Sequence, residues 1–162
     1  MLSALAALAL QTAQPAPVAG VTVEAPRPPP KLVRAYPAAG STPPFGVLVL
    51  TLAFDQPMDP ASAPAVAGGD APECLPTWRL LPDAKTFVLL CSLRSGQAYR
   101  VAFPPGSNGF RSTQAKAPDA LELAFTADPD KPEISLADAL KSAGLKPEEG
   151  PVMDWRGGRP AG

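Results

Sequence analysis

Two carboxylates, Asp55 and Asp59, flank Pro57 and Met58 in the segment Phe54-Asp-Gln-Pro-Met-Asp59. A carboxylate pair can divide acid and base roles in glycoside hydrolysis, and carboxylates on a curved loop, joined by carbonyl oxygens, can hold a hard cation such as Ca²⁺. Neither use is well supplied here. The two side chains stand in a tight loop without partners of obvious identity, and although Asp128 and Asp130 could add ligands, nothing in the sequence brings the two segments together. The plainer reading has these aspartates bonding their own backbone in turns. The chain contains no His, which removes the commonest general base and the commonest metal ligand together. It also lacks Gly-x-Ser-x-Gly, Ser-x-x-Lys and a phosphate-cradling glycine loop ahead of a helix. The expectation is no catalytic residue, no bound cofactor and no metal.

The other side chains with chemistry of their own are Cys74 and Cys91. Two sulfurs without His make an incomplete zinc set. Leu2 to Leu10 is an apolar run followed by small residues, the layout of a short signal peptide over 1–13, so a periplasmic or secreted location is expected. In an exported chain a single cysteine pair favours one disulfide over two buried thiols. The run is far short of the roughly 20 apolar residues that span a bilayer as helix, and no membrane span is expected. A net charge of −1, with 14 scattered basic residues, leaves no electrostatic footprint for nucleic acid.

The elements that must position these residues are short. Residues 14–30 are rich in Pro, Ala and Val and end in Ala25-Pro-Arg-Pro-Pro-Pro30, which favours polyproline II and cannot enter a sheet ladder. This reads as a linker, although a Pro-x-x-Pro ligand motif can be written through Pro26 and Pro29. Lys31 to Tyr36 suits an edge strand. Val47 to Phe54 alternates, with Leu48, Leu50, Leu52 and Phe54 on one face and Val47, Val49, Thr51 and Ala53 on the other. Trp78 to Leu81 and Thr86 to Cys91 flank the turn Pro82-Asp-Ala-Lys85 and read as a hairpin. With Leu81 facing Thr86, Cys74 falls opposite Leu93 and diagonal to Cys91, and Pro76 offers a bulge that could bring the sulfurs together. Arg100 to Phe103 and Leu121 to Thr126 alternate again, separated by the polar loop 104–119. Beyond Pro132 the period changes: Leu136, Ala139, Leu140 and Ala143 form one helical face, with Ser135 as N-cap and Gly144 as C-terminal stop. A helix over 135–144 is too short to stand alone in water, so it docks on its own domain or in a partner's groove. Residues 150–162 carry Met153 and Trp155 as their anchors, and both chain ends are expected to be disordered.

Tyr36 to Ser62, with its Pro-x-x-Gly turn, alternating strand and Phe-Asp-Gln-Pro-Met-Asp close, resembles the opening of the bacterial Ig-like domains of envelope and surface proteins. Leu93-Arg-Ser-Gly96-Gln-Ala-Tyr99 is similar to a second hallmark of that family, in which the tyrosine lays its ring on the core and bonds nearby backbone. The resemblance implies an all-β, Ig-like antiparallel sandwich over 31–127, followed by a 128–162 extension with the short helix. It also implies that Asp55 and Asp59 belong to a structural hallmark of a non-enzymatic family. A periplasmic copper-resistance sandwich opens similarly, but it binds Cu(II) through histidines, which are absent here, and Met58 reads as core filler. The function expected is that of an exported, non-catalytic interaction or scaffold module of the cell envelope, with an unidentified envelope protein or surface ligand as partner. Contacts are expected at Asn108 and Phe110 in the long loop and at Leu136 and Leu140 on the helix. The alternatives are a carrier that binds a cation or glycan through the 55–59 and 104–119 loops, and a carboxylate-based hydrolase.

Overall fold

The computed structural model describes residues 13–16, 19, 20, 22–106 and 108–153. The apolar run at the N-terminus, Ser107, Trp155 and the rest of the C-terminal tail lie outside these residues, and so do the expectations attached to them. Among the described residues the strands are β1 (Leu32–Tyr36), β2 (Gly46–Phe54), β3 (Glu73–Cys74), β4 (Arg79–Leu80), β5 (Thr86–Leu93), β6 (Ala98–Phe103) and β7 (Leu121–Thr126), and the helix is α1 (Leu136–Ser142). All strand pairings within the sheets are antiparallel. The larger sheet runs β1-β2-β5-β3, with β4 also on β5, and β6-β7 forms the second sheet.

The alternation read in β2 sets the core. Leu48, Leu50, Leu52 and Phe54 face Phe87, Leu89, Cys91 and Leu93 of β5, and together they meet Tyr99, Val101, Phe103, Leu123 and Phe125 from the smaller sheet. The result is an all-β sandwich with a short helix on its flank. Phe110 fills the centre of an aromatic cluster, with ring centroids 5.0 Å from Phe87, 5.2 Å from Phe103, 5.4 Å from Phe54 and 5.5 Å from Trp78.

The opposite face of β2 and β5 is not solvated. Val49, Val88 and Leu81 pack under Ala139, Leu140 and Ala143 of α1 in a second apolar cluster. The helix begins and ends as its sequence dictates. The Ser135 hydroxyl accepts from the Asp138 N–H, while at the far end Gly144 N–H donates to Lys141 O and Leu145 N–H to Leu140 O, a Schellman closure that requires the left-handed φ of +71° at Gly144. The extension reaches this position by pairing Ile134 in parallel with Gly46. At Gly46 a Cβ would stand 2.6 Å from the Glu133 side chain and 3.2 Å from the Ile134 backbone, and φ is +97°. Only glycine admits so close an approach at that φ.

Candidate functional site

The 55–59 and 110–116 loops meet at one end of the sandwich. Met58 bridges Ser112, Asp59 N–H donates to Arg111 O, and Thr113 N–H donates to Pro57 O. Met58 is buried in the core. The two aspartates face different neighbours. Asp55 accepts from the Lys31 N–H at 2.9 Å and returns its own N–H to Lys31 O. Asp59 caps a short 3₁₀ turn, Pro60–Ser62, by accepting from the Ala61 N–H at 2.9 Å, and its other oxygen lies 3.7 Å from the Arg111 guanidinium. The buried Ser62 hydroxyl donates to Asp59 O and accepts from the Arg111 N–H. A cation placed here would compete with Arg111 for Asp59 and with backbone amides for both carboxylates. Among the described residues no group of three or more His, Cys, Asp or Glu is arranged to hold a metal. Asp128 is engaged elsewhere, accepting from the Asp130 N–H and pairing with Lys131.

The same two loops hold the proline-rich segment. Gln114 accepts from the Arg27 N–H at 2.8 Å and donates to Ala25 O at 3.3 Å, while Gln56 donates to Pro28 O at 2.8 Å. Pro30 is buried. These contacts correct the reading of 14–30 as a plain spacer for its final residues, which are bound along the end of the sandwich.

Cys74 and Cys91 are joined in a disulfide. The register differs from that expected from the hairpin: the cysteines lie directly opposite each other rather than diagonally. Between the Cys74–Cys91 and Arg79–Val88 pairs, Leu75 to Trp78 face only Leu89 and Leu90, so the bulge at Pro76 takes in two extra residues. Tyr99 is buried, and its hydroxyl accepts from the Arg94 N–H at 2.7 Å.

Three expected contact residues need correction. Phe110 is 1% exposed and belongs to the core, because the 110–113 backbone is stitched to the 57–59 loop and turns the ring inward. The signal for this was present: a large aromatic alone in a polar loop costs free energy unless its face is covered. Leu140 is buried and Leu136 half-buried against the protein's own sheet, so the helix face is occupied within the chain. Asn108 remains exposed.

One open concavity escaped the sequence reading. The outward residues of the smaller sheet pair as Ala98 with Thr126, Arg100 with Ala124 and Ala102 with Glu122. Segments bonded to both edges raise walls beside them: Gly40 N–H donates to Ala124 O and Thr126 N–H to Ser41 O on one side, and Arg100 N–H donates to Asp70 O on the other. The resulting trough encloses about 450 Å³ above a floor that includes Ala98 and Ala124, with Asp70, Thr42 and Arg100 among its polar lining. Arg100 pairs with Glu122 at 3.4 Å, both well exposed. Charges and hydroxyls stand around small apolar side chains, so the lining of the trough is mixed.

No family model and no curated protein matches the chain. Among solved structures it is similar to the S-layer protein rSbsC, residues 31–844, with 18% identity over 64% of this chain and 14% of that one, at a TM-score of 0.42. It is also similar to domains 1–6 of the surface layer protein SbsC, with the same identity and coverage and a TM-score of 0.41. The chain therefore spans about a seventh of the length of these structures.

Proposed function

We propose that this chain is an exported, non-catalytic Ig-like interaction module of a bacterial cell envelope. The observation that carries the reading is the state of its one recognisable carboxylate pair: Asp55 and Asp59 are both engaged in backbone hydrogen bonds, and Asp59 also faces Arg111. Groups bound in this way hold a loop, and a cation would have to displace their present partners. The buried Tyr99, whose hydroxyl accepts from the Arg94 N–H, and the backbone bonds of the Phe-Asp-Gln-Pro-Met-Asp segment support the Ig-like reading, and the disulfide suits an oxidising compartment. Among the described residues no helix is long and apolar enough to cross a membrane.

In this reading the trough over β6 and β7 is the contact surface. A photoreactive amino acid at Ala124, placed in the full chain in intact cells, is expected to give a discrete adduct with an envelope component. Filling the trough with Ala98→Trp should abolish that adduct without changing the melting temperature. Absence of any adduct at Ala124 counts against the trough. A Ca²⁺-dependent rise in melting temperature that disappears in Asp59→Ala would transfer the function to a cation carrier.

A further inference from the structure

The sandwich end formed by Gln56 and Gln114 bonds the backbone of the proline-rich segment. Polyproline II makes no internal hydrogen bonds and leaves its carbonyls outward, and a primary amide offers both donors and acceptors. Between Ala25 and Pro30 only Ala25 and Arg27 carry a backbone N–H, since the other positions are proline. Gln114 accepts from the Arg27 N–H and donates to Ala25 O, so it meets a donor and an acceptor along one segment, and Gln56 donates to Pro28 O. Gln56 is only 7% exposed, and a buried amide without a partner is costly; Pro28 O supplies one. Glu24 and Arg27 form an ion pair within the segment. The Asp55 and Lys31 backbone pair then fixes the point where the segment joins β1.

We propose that this end of the sandwich is a recognition site for proline-rich polyproline II segments, that residues 24–30 are its resident occupant, and that the same segment of a second copy can take their place. The site reads backbone through two glutamines, so its ligand is defined by conformation and by one N–H set between prolines. The resident segment competes from a tethered position, at an effective concentration in the millimolar range, so a second copy gains access when the resident segment is loosened. This inference is independent of the trough and of whatever the trough contacts.

Replacement of Arg27 tests it in the full chain, because Arg27→Pro deletes the N–H that Gln114 accepts while leaving the site untouched, whereas Arg27→Ala removes the charge and keeps the N–H. The probe is a synthetic peptide of residues 22–31, titrated into isotope-labelled protein while the Gln56 and Gln114 side-chain amide resonances are followed. Arg27→Pro is expected to bind the peptide at least tenfold more tightly than wild type or Arg27→Ala, and Gln114→Ala in the Arg27→Pro background is expected to lose that binding. In wild type the Arg27 amide should exchange at least tenfold more slowly than in Gln114→Ala. A saturable shift of equal affinity in wild type and Arg27→Pro would place the peptide elsewhere and overturn the proposal. So would no shift in Arg27→Pro at about millimolar peptide. An Arg27 amide in wild type that exchanges as fast as in Gln114→Ala would remove the resident occupant.

Discussion

The outer faces of the two sheets differ in a way their strands already encode. β2 is apolar at nearly every position, and from Leu48 to Phe54 it is buried on both sides; β6 alternates strictly between exposed and buried. A strand that is apolar on both faces needs a second layer, and here the 128–153 extension supplies it, placing Ala139, Leu140 and Ala143 on Val49 and Val88. A strand that alternates is content with water on one side. The smaller sheet accordingly leaves Ala98, Arg100 and Ala124 open and becomes the floor of the trough. The same chain thus covers the outer face whose outward residues are Val and Leu, and leaves open the one whose outward residues are small or charged.

The largest effect should come from neither outer face but from the layer between the sheets, which sets the scale for the comparison. Phe110→Ala removes a fully buried ring in contact with four other aromatic residues, at a cost of about 3–5 kcal/mol. Chemical denaturation should show that loss directly. A cost below about 1 kcal/mol would mean that the loop ring is dispensable and the core ends at the strands.

Leu140→Ala comes next and tests the covered outer face. A buried leucine truncated in a core costs about 2–5 kcal/mol, and the thin layer under one short helix belongs at the low end. Deleting residues from Asp130 onward should cost more than Leu140→Ala, because the helix cover and the Ile134 pairing are lost together. An unchanged unfolding free energy in either variant would make α1 an ornament and return its apolar face to a partner.

How much of this was legible follows from the kind of bond that makes each feature. Strands read from side-chain period came out in place: Leu121 to Thr126 is β7, and both faces of β2 were visible in its alternation. Caps were legible for the same reason, since Ser135 and Gly144 act through their own chemistry. The cysteine pairing was legible but its register was not, because a bulge of two residues at Pro76 shifts every partner beyond it while leaving the residue types unchanged. Phe110 was misplaced because loop polarity outweighed the one ring within it. The trough walls and the bound proline segment were not legible at all. Their contacts are main-chain carbonyls and amides, such as Asp70 O and Ala25 O, which every residue possesses, and the glutamines that complete the second site lie far from it in sequence.

A smaller and pH-dependent effect should come from the turn that delivers Leu81 to the covered face. The Asp83 carboxylate accepts from the Lys85 N–H, the Thr86 N–H and the Thr86 hydroxyl. Partial desolvation raises its pKa, but the Thr86 hydroxyl, the two amides and the Lys85 charge together outweigh that and hold it below the ordinary aspartate value. A depressed folded-state pKa means the unfolded chain binds the proton first as pH falls. The contribution is therefore present above the ordinary aspartate pKa of about 4 and is lost as pH drops through the folded value. Because Asp83 is exposed and its charge is screened by water, Asp83→Ala should cost only about 0.5–1.5 kcal/mol at neutral pH and flatten the acid side of the stability profile relative to wild type. A parallel pair of profiles would show that the turn holds without its carboxylate.

The smallest effect, and the sharpest test of the contrast between the faces, is Ala124→Leu. On the covered sheet an added isobutyl group would have to displace the helix, and overpacking of that kind costs about 1–3 kcal/mol. At Ala124 the side chain points into the trough, its backbone carbonyl is already bonded to Gly40, and the strand conformation accepts leucine readily. Its unfolding free energy should therefore stay within about 0.5 kcal/mol of wild type. Applied at Val49, the equivalent enlargement Val49→Phe should destabilise, because that position is fully buried beneath α1. Equal costs at the two positions would mean that the trough floor is packed against something in the folded chain, and the division of labour between the outer faces would fail. A neutral Ala124→Leu beside a destabilised Val49→Phe would confirm that one face is closed by the protein's own extension and that the other is open in the folded chain.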